Sequence, residues 1–202
     1  MRFQYDGGEQ FTFNQQLFFR KKLLGAGAFG EVFLFETENT GEHYAVKCET
    51  PQNNRYVFGF YFEREASWYE KMYGIGFLSG DPRHEKAPHY ILLPYFEGKS
   101  LYHVSCPSLR QVIFNWVWAA VAVDTLHTQH CAVHGDVKTD NCITGNTVRL
   151  IDFNFTTTVD HYRPIGFHQQ DQNILYHQPP ELFTKNAVRQ RAAFPQDVYS
   201  LG

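Results

Sequence analysis

A cluster of polar side chains inside apolar runs is the feature that most restricts what this chain can fold into. The stretch VHGDVKTDNCITGNTVRLIDFNF, residues 133–155, carries Asp136, Lys138, Asn141 and Asp152 between segments rich in Val, Ile, Leu and Phe. Burying a charge costs free energy unless an opposite charge or hydrogen-bond partners accompany it. The fold must therefore supply something that balances these carboxylates.

The residue types in this stretch indicate phosphate and metal chemistry. HGDVKTDN places Asp136, Lys138 and Asn141 on one short loop after a helix, and RLIDFN places Asp152 at the end of a strand. Asp136 can accept a proton from an attacking hydroxyl, and Lys138 can neutralise charge on a phosphoryl group. Asn141 and Asp152 offer the oxygen ligands that Mg²⁺ prefers. A magnesium ion and its phosphates would balance the buried charges.

A glycine-rich segment, GAGAFGEV, precedes this stretch by about a hundred residues. It contains Gly25, Gly27, Gly30 and Val32, and the following EVFLFET alternates like a strand. The dinucleotide-binding glycine motif needs a helix at that point, so the pattern predicts a strand–loop–strand hairpin instead. Such a hairpin lets backbone N–H groups close over phosphates without side chains in the way.

A lysine in the next apolar strand needs an anionic partner. Lys47 follows Ala45 and Val46, seventeen residues after Gly30. The helix predicted over 58–74 offers Glu63 and Glu65. Glu65 is the preferred partner, because Phe62 and Tyr69 lie on the same core-side stripe of that helix.

The order of the elements predicts two lobes with a cleft between them, residues 1–97 and 98–202. Turn signals separate the strand-like runs of the first half, and a long helix with Ser108 as N-cap leads the second half. The predicted elements are strands at 17–25, 31–37, 43–49 and 90–96, a loop-rich segment at 74–90, a helix from 108 to about 130, two short strands around TGN at 144–146, and a polar stretch at 156–178.

These motifs, in this order and spacing, resemble a eukaryotic-type protein kinase domain from residue 25 to residue 202. The resemblance implies an α+β, bilobal protein-kinase-like fold. Its N-lobe would be a five-stranded antiparallel sheet plus one helix, and its C-lobe would be helical and shortened. QPPEL, with Glu181, is similar to the Ala-Pro-Glu motif of the family, and DVYSLG is similar to its Asp-x-Trp-Ser-x-Gly helix start, where Asp197 would brace the catalytic loop.

The resemblance also implies site roles. Asp136 would be the catalytic base with Lys138 beside it, and Asn141 and Asp152 would be the magnesium ligands. Leu93 matches the gatekeeper position and 94–97 match the adenine-binding hinge. The residues implied to bind ATP are Gly25, Gly27, Gly30, Val32, Ala45, Lys47, Glu65, Leu93, Tyr95 and Ile143.

The expected function is that of an ATP- and Mg²⁺-dependent protein kinase that phosphorylates Ser or Thr on a protein substrate. Lys138 favours Ser/Thr over Tyr by resemblance. Two alternatives stay open. A small-molecule kinase of the aminoglycoside or choline phosphotransferase type also carries His-Gly-Asp in its catalytic loop, although Lys138, PPEL and DVYSLG follow the protein-kinase pattern. A catalytically inactive binding scaffold is supported by Asn154 and by the end of the sequence at Gly202, although all five core polar residues remain, namely Lys47, Glu65, Asp136, Asn141 and Asp152.

Two residues depart from the family pattern. Gly135 replaces the arginine that normally reads an activation-loop phosphate, so activity is expected not to depend on phosphorylation of 156–158. Asn154 replaces the glycine after Asp152-Phe153. Because Asn tolerates positive φ, the usual backbone shape of that position is expected to survive.

Composition and charge exclude other classes. A net charge of −3 gives no sign of a nucleic-acid-binding surface. The most apolar run, 112–126, is too short to span a bilayer and indicates a buried helix. Four cysteines without paired spacing and no signal-peptide pattern indicate the cytoplasm, or a host cytoplasm for a viral or secreted protein. The donors at 127–134 resemble a zinc cluster but straddle a helix end, which disfavours zinc.

The sequence stops at Gly202, where the central lower-lobe helix of the family should begin. The chain is therefore expected to be either a fragment or a shortened kinase in which a partner or a homodimer replaces the missing helices. An apolar surface along 112–126 is expected if the chain is alone.

Overall fold

The computed structural model describes residues 3–27, 30–49, 55–79, 89–105, 108–161, 178–180 and 191–202, with side chains in the helix that begins at 55 described from residue 61. The chain divides into two compact units, Met1–Tyr95 and Phe96–Gly202. Within the described residues, unit 1 has one sheet and one helix, and unit 2 has two small sheets and two helices.

Unit 1 is built on one antiparallel sheet of six strands in the order β1-β2-β3-β4-β6-β5. Register is regular between β3 and β4 and between β4 and β6, and irregular at two points between β2 and β3. The strands are β1 Gln10–Phe13, β2 Gln16–Gly27, β3 Gly30–Thr37, β4 His43–Cys48, β5 Phe77–Ser79 and β6 Tyr90–Pro94.

The predicted count of five strands is wrong by one, although the antiparallel sheet with one helix is confirmed. Strands β1 and β5 are not among the four strands that the sequence predicted by residue range, and β1 is held by aromatic packing. Its Phe11 stacks on Phe18 with ring centroids 4.6 Å apart and also touches Phe35. Tyr5 meets Tyr90 at 4.7 Å. The high aromatic content of the chain thus forms a core on one face of the sheet.

Helix α1, Arg55–Tyr73, covers the other face, contacting β5 and β6. It begins three residues earlier than predicted. Phe62, Glu65, Ala66 and Tyr69 are buried along one stripe, while Glu63 is exposed. This phase of the helix decides which glutamate can reach the sheet.

The helices of unit 2 are α2, Leu109–His130, and α3, Phe194–Ser200. Three short 3₁₀ turns separate its small strands, at Leu101–His103, Thr139–Asn141 and Phe153–Phe155. The strands form two small antiparallel sheets, β10-β9-β7 and β11-β8. They are β7 Lys99–Ser100, β8 Ala132–Val133, β9 Cys142–Thr144, β10 Val148–Leu150 and β11 Thr157–Thr158.

Helix α2 starts as predicted, because the Ser108 side chain accepts a hydrogen bond from the Gln111 N–H at 3.3 Å. The two short strands around TGN are also confirmed as β9 and β10. The prediction that 112–126 is a buried helix is only half right, since one face of α2 is buried and the other is exposed. Within the described part of the chain, no helix combines the length and the apolar character needed to cross a bilayer.

Candidate active site

The predicted nucleotide-binding side chains of unit 1 share one face of its sheet. Val32 lies directly opposite Lys47, and Ala45 lies opposite Leu93. Directly paired residues of antiparallel strands project to the same side, and so do residues two apart on one strand. The sheet therefore presents three apolar side chains around one ammonium.

The glycines of the hairpin differ in what surrounds them. A Cβ at Gly30 would lie 2.0 Å from the Cys48 carbonyl oxygen, and Gly30 has a positive φ of 151°. At Gly25 and Gly27 an added Cβ would meet no described atom within 4 Å. Gly30 is thus required for the close approach of β3 to β4, whereas Gly25 and Gly27 leave open space above the hairpin.

The ammonium of Lys47 is paired within unit 1. Its Nζ lies 2.7 Å from Glu65 Oε2, and the side chains of Lys47 and Glu65 are only 8% and 1% exposed. Lys47 also lies 5.7 Å from the centre of the Phe62 ring. The structure thus pairs the lysine with Glu65, the glutamate preferred from the sequence, and leaves Glu63 at the surface.

The remaining predicted nucleotide contacts lie at the end of β6 and in unit 2. Tyr95 follows Pro94, is partly buried, and lies with its ring 5.7 Å from the ring of His43. Ile143 lies at the centre of β9, paired with Arg149 and Ser100, and is partly buried.

In unit 2 the structure brings Asp136, Lys138 and Asn141 together. Asp136 is buried, and its Oδ2 lies 2.8 Å from Lys138 Nζ and accepts a hydrogen bond from Asn141 Nδ2 at 2.9 Å. The same Nδ2 donates to the Asp136 carbonyl at 2.9 Å. Because both contacts use the amide nitrogen, the amide oxygen of Asn141 is directed away from Asp136.

The charge of Lys138 is maintained by its acidic neighbours. Burial, the largest single influence, acts to lower the pKa of Lys138. The hydrogen-bonded Asp136 carboxylate and the charges of Asp152 and Asp140 act in the opposite direction and leave the pKa raised. The raised pKa keeps Lys138 protonated at neutral pH beside the predicted base.

Asp152 begins the 3₁₀ turn Phe153–Phe155 with left-handed backbone angles, φ 64° and ψ 67°. The positive φ thus falls on Asp152, and the expectation that Asn154 would adopt it is wrong. Asn154 is instead fully buried inside the turn, and its amide Nδ2 donates to Asp152 Oδ1. The residue that replaces the family's glycine therefore holds the Asp152 carboxylate.

Asp197 holds the loop that carries Asp136. It is 1% exposed at the start of α3, and its carboxylate accepts hydrogen bonds from the backbone N–H groups of His134 and Gly135 at 2.6 and 2.9 Å. It also contacts His127 Nε2 at 2.9 Å. Gly135 has a φ of 81°, a conformation that favours glycine, which gives a local reason for the missing arginine.

His134 is a packed residue that supports the same loop. Its ring lies 5.1 Å from the Phe153 ring, its Nε2 donates to the Ile151 carbonyl at 3.0 Å, and its Nδ1 accepts from the Asp136 N–H at 3.3 Å. These contacts require the ring hydrogen on Nε2. His134 thus links the Asp136 loop to the strand end that carries Asp152.

Two further residues reach this loop and were not identified from the sequence. The Thr156 hydroxyl, fully buried, donates to the His134 carbonyl at 3.1 Å. Gln178 Nε2 lies 3.4 Å from the Gly135 carbonyl oxygen and 3.5 Å from Asp136 Oδ1. Neither belongs to a local pattern, so only the tertiary structure reveals them.

The donor atoms of this site fit Mg²⁺. Asn141 presents an amide oxygen and Asp152 a carboxylate, both hard oxygen ligands of the kind this ion takes from proteins, with the rest of its shell left to water and phosphate. Among the residues at 127–134 that resemble a zinc cluster, His127 stacks on Phe194 with ring centroids 4.5 Å apart. No three His, Cys, Asp or Glu side chains are grouped as metal ligands in the described ranges. Glu181 lies outside the described residues.

Comparison with known proteins identifies a family and similar proteins. The family model described as protein kinase domain matches residues 18–202. The serine/threonine-protein kinase cot-1 of Neurospora crassa is similar to this chain, with 26% identity over 178 residues. That alignment covers 78% of this chain and 26% of the relative, so the chain spans about a quarter of the curated relative it matches.

Proposed function

Because the chain belongs to the protein kinase domain family, we propose that it transfers the γ-phosphoryl group of ATP, with Mg²⁺, to Ser or Thr hydroxyls of a protein. We also propose that residues 1–97 act as the N-lobe and 98–202 as the C-lobe. The observation that carries this proposal is the contact of Asp136 Oδ2 with Lys138 Nζ at 2.8 Å and with Asn141 Nδ2 at 2.9 Å.

The loop of unit 2 has the properties that proton and phosphoryl transfer require. Asp136 accepts the proton of the substrate hydroxyl, and its own hydrogen bonds hold the carboxylate in one orientation. Lys138 stays protonated beside it and stabilises negative charge on the phosphoryl oxygens. Asp197 keeps the loop in shape through the two backbone N–H groups it accepts from.

Asn141 and Asp152 would hold the metal, and Asn154 orients the Asp152 carboxylate for that role. When bound, Mg²⁺ would neutralise charge on the nucleotide phosphates. In unit 1, Lys47 would contact the α- and β-phosphates, oriented by Glu65. The open space above Gly25 and Gly27 is compatible with phosphates close to the backbone.

The choice of Ser/Thr as acceptor has two supports. Lys138 stands where the Ser/Thr members of the family carry a lysine, and the similar protein from Neurospora crassa is a serine/threonine-protein kinase.

We include a cytoplasmic location in the proposal because Cys48, Cys131 and Cys142 are free thiols.

Phosphate transfer from γ-labelled ATP tests the reaction and its acceptor together. The purified chain would be incubated with Mg²⁺, generic protein acceptors and, separately, small hydroxyl-bearing metabolites, followed by phosphoamino-acid analysis. We expect label on serine and threonine of protein. Label on metabolites alone would make the chain a small-molecule kinase, and no label on any acceptor would overturn the proposal.

A thermal-shift measurement tests the nucleotide and metal site without turnover. Mg-ATP should raise the melting temperature, because a ligand that binds only the folded state stabilises it. Asp152→Asn should lose most of the Mg²⁺-dependent part of this rise. The matched control is Asp140→Asn, an exposed acid of the same loop region, which should keep it. A full shift without phosphate transfer would identify a binding scaffold instead of an enzyme.

A further inference from the structure

Helix α2 exposes an apolar stripe along the side turned away from its own unit. Ile113, Val117 and Val121 are 52%, 44% and 44% exposed, and the stripe ends at exposed Arg110 and Asp124. We call these five residues the α2 stripe. Apolar side chains repeated along one helix face, beside a second face that is already buried, are typical of a helix with partners on both sides.

Helical geometry places all five side chains on one line. At about 100° per residue, Arg110 and Asp124 lie within about 20° of the direction of Val117, and Ile113 and Val121 within about 40° on either side. The buried residues Asn115, Ala119, Val123 and Leu126 lie on the opposite side. The stripe is therefore a seam about 21 Å long, with a charge at each end.

The two charges are opposite and symmetric about the middle of the stripe. Arg110 precedes Val117 by seven residues and Asp124 follows it by seven. Neither is in an ion pair with any described residue, and these two are the only Lys, Arg, Asp or Glu residues of α2. Nothing within the described part of the chain uses this charge pattern.

A two-fold axis through Val117 makes the stripe complementary to itself. When two copies of α2 pack antiparallel about that axis, Arg110 of each copy faces Asp124 of the other. Ile113 faces Val121, and Val117 faces its own equivalent. Residue pairs repeat reciprocally in any two-fold interface. A parallel arrangement would instead place like charges opposite each other, which is unfavourable.

From this charge pattern and helical phase we propose that the α2 stripe binds a second copy of this chain, in a two-fold antiparallel α2–α2 contact. Neighbouring apolar surface extends the contact, because Trp116 donates to the Leu201 carbonyl at 3.2 Å and α3 exposes Val198 and Tyr199. The proposal concerns only this surface, and it stands or falls independently of the phosphate-transfer function.

Charge reversal tests the pairing by sedimentation analysis of the 202-residue chain. The unmodified chain should be dimeric at about 100 µM. Arg110→Glu or Asp124→Arg alone should weaken the dimer about tenfold or more, since each turns two attractions into two repulsions. The double variant should return to within about threefold of the native affinity, because both pairs are restored with exchanged signs. Lys22→Glu, an exposed charge reversal in unit 1, is the control and should change nothing.

Any one of three outcomes of this experiment would overturn the proposal. The chain could remain monomeric at about 100 µM, the two single reversals could leave the dimer unchanged, or the double variant could be as weak as the singles. Circular dichroism of each variant checks that the fold is kept, which the exposure of both positions leads us to expect.

Disulfide trapping tests the direction of packing with different variants. Under mild oxidation, an equimolar mixture of Ile113→Cys and Val121→Cys chains should form a mixed covalent dimer, because these positions face each other across the axis. Val121→Cys alone should form little, and the unmodified chain, which has four cysteines of its own, sets the background. Efficient linkage of Val121→Cys to itself would mean parallel packing, and no linkage above background would mean another occupant of the stripe; either result rejects the proposal.

Discussion

Among Gly25, Gly27 and Gly30 of the hairpin, Gly30 is the position where the fold itself requires glycine. A methyl group there would lie 2.0 Å from the Cys48 carbonyl oxygen, and the φ of 151° is one that L-residues rarely adopt. We expect Gly30→Ala to lower the free energy of unfolding by more than about 2 kcal/mol.

The matched variant is Gly27→Ala, at a position with open space. It should change the free energy of unfolding by less than about 1 kcal/mol while raising the KM for ATP, since the proposed role of Gly27 is toward the nucleotide. Urea unfolding of both variants checks the first expectation and initial rates check the second. Equal destabilisation by the two substitutions would contradict this assignment.

The burial of the Cys142 thiol can be tested by measuring how the free energy of unfolding depends on pH. Burial raises the pKa of this thiol to about 12, so the native protein keeps it protonated. An unfolded thiol ionises near pH 8.5. The stabilisation is therefore complete below about pH 8.5 and is lost as the pH rises toward 12. We expect the free energy of unfolding to fall over that range.

The same burial predicts selective alkylation at pH 8. Cys131 is exposed, so peptide mapping after iodoacetamide treatment should find it modified, with Cys142 modified only after denaturation. Faster modification of Cys142 than of Cys131 in the native protein would show that the thiol is not buried.

At the scale of elements, the contact of β4 with α1 depends on a buried ion pair. Lys47→Met removes the ammonium 2.7 Å from a Glu65 side chain that is 1% exposed, and we expect a loss of about 3 kcal/mol in the free energy of unfolding. The double variant Lys47→Met/Glu65→Gln should be more stable than the sum of the two single effects predicts, by about 1 kcal/mol or more.

Lys21 and Glu36 form the control pair. They also join two elements, at 3.3 Å, but their side chains are 46% and 35% exposed, so their coupling should be clearly smaller than that of the buried pair. Chemical denaturation of the two complete cycles gives the comparison. Equal coupling in both pairs would mean that burial does not strengthen the Lys47–Glu65 contact.

The contacts of strand β11 and of the turn before it agree with the prediction that activity does not depend on phosphorylation of 156–158. Thr156 is fully buried with its hydroxyl bonded to the His134 carbonyl, and Thr157 and Thr158 pair with β8. We expect Thr157→Ala/Thr158→Ala to keep at least about half of the native phosphate-transfer rate, since it removes no catalytic contact. A loss of activity in the Thr157→Ala/Thr158→Ala variant, with stability unchanged, would indicate a phosphate switch.

Thr156→Val, which keeps the volume but loses the hydrogen bond, should lower the free energy of unfolding by about 1 kcal/mol.

What could be predicted from the sequence were the elements with local signals. Ser108 marks the start of α2 through its own side chain, and the spacing of Phe62, Glu65 and Tyr69 selects the correct glutamate. Strand β1 could not be predicted in this way, because it depends on Phe11 packing against Phe35 and Phe18 from other strands. The prediction for the backbone around Asn154 was wrong for a similar reason. A buried hydrogen bond from the Asn154 amide to Asp152 decides the conformation there, and the preference of Asn for positive φ does not.

For the whole molecule, family membership and the geometry of the Asp136 loop support the same account from independent directions. The match covers residues 18–202, and the loop brings the Asp136 carboxylate, the Lys138 ammonium and the amide nitrogen of Asn141 together without using any residue outside unit 2. The central claim is that the Asp136 carboxylate takes part in phosphate transfer.

The most direct test compares the rate of γ-phosphoryl transfer by Asp136→Asn with that by Asp140→Asn, with Mg-ATP affinity measured for both. The account predicts that Asp136→Asn lowers kcat by about a hundredfold or more with Mg-ATP affinity nearly unchanged, while the exposed Asp140→Asn stays close to the native rate. Equal rates for the two variants would contradict it.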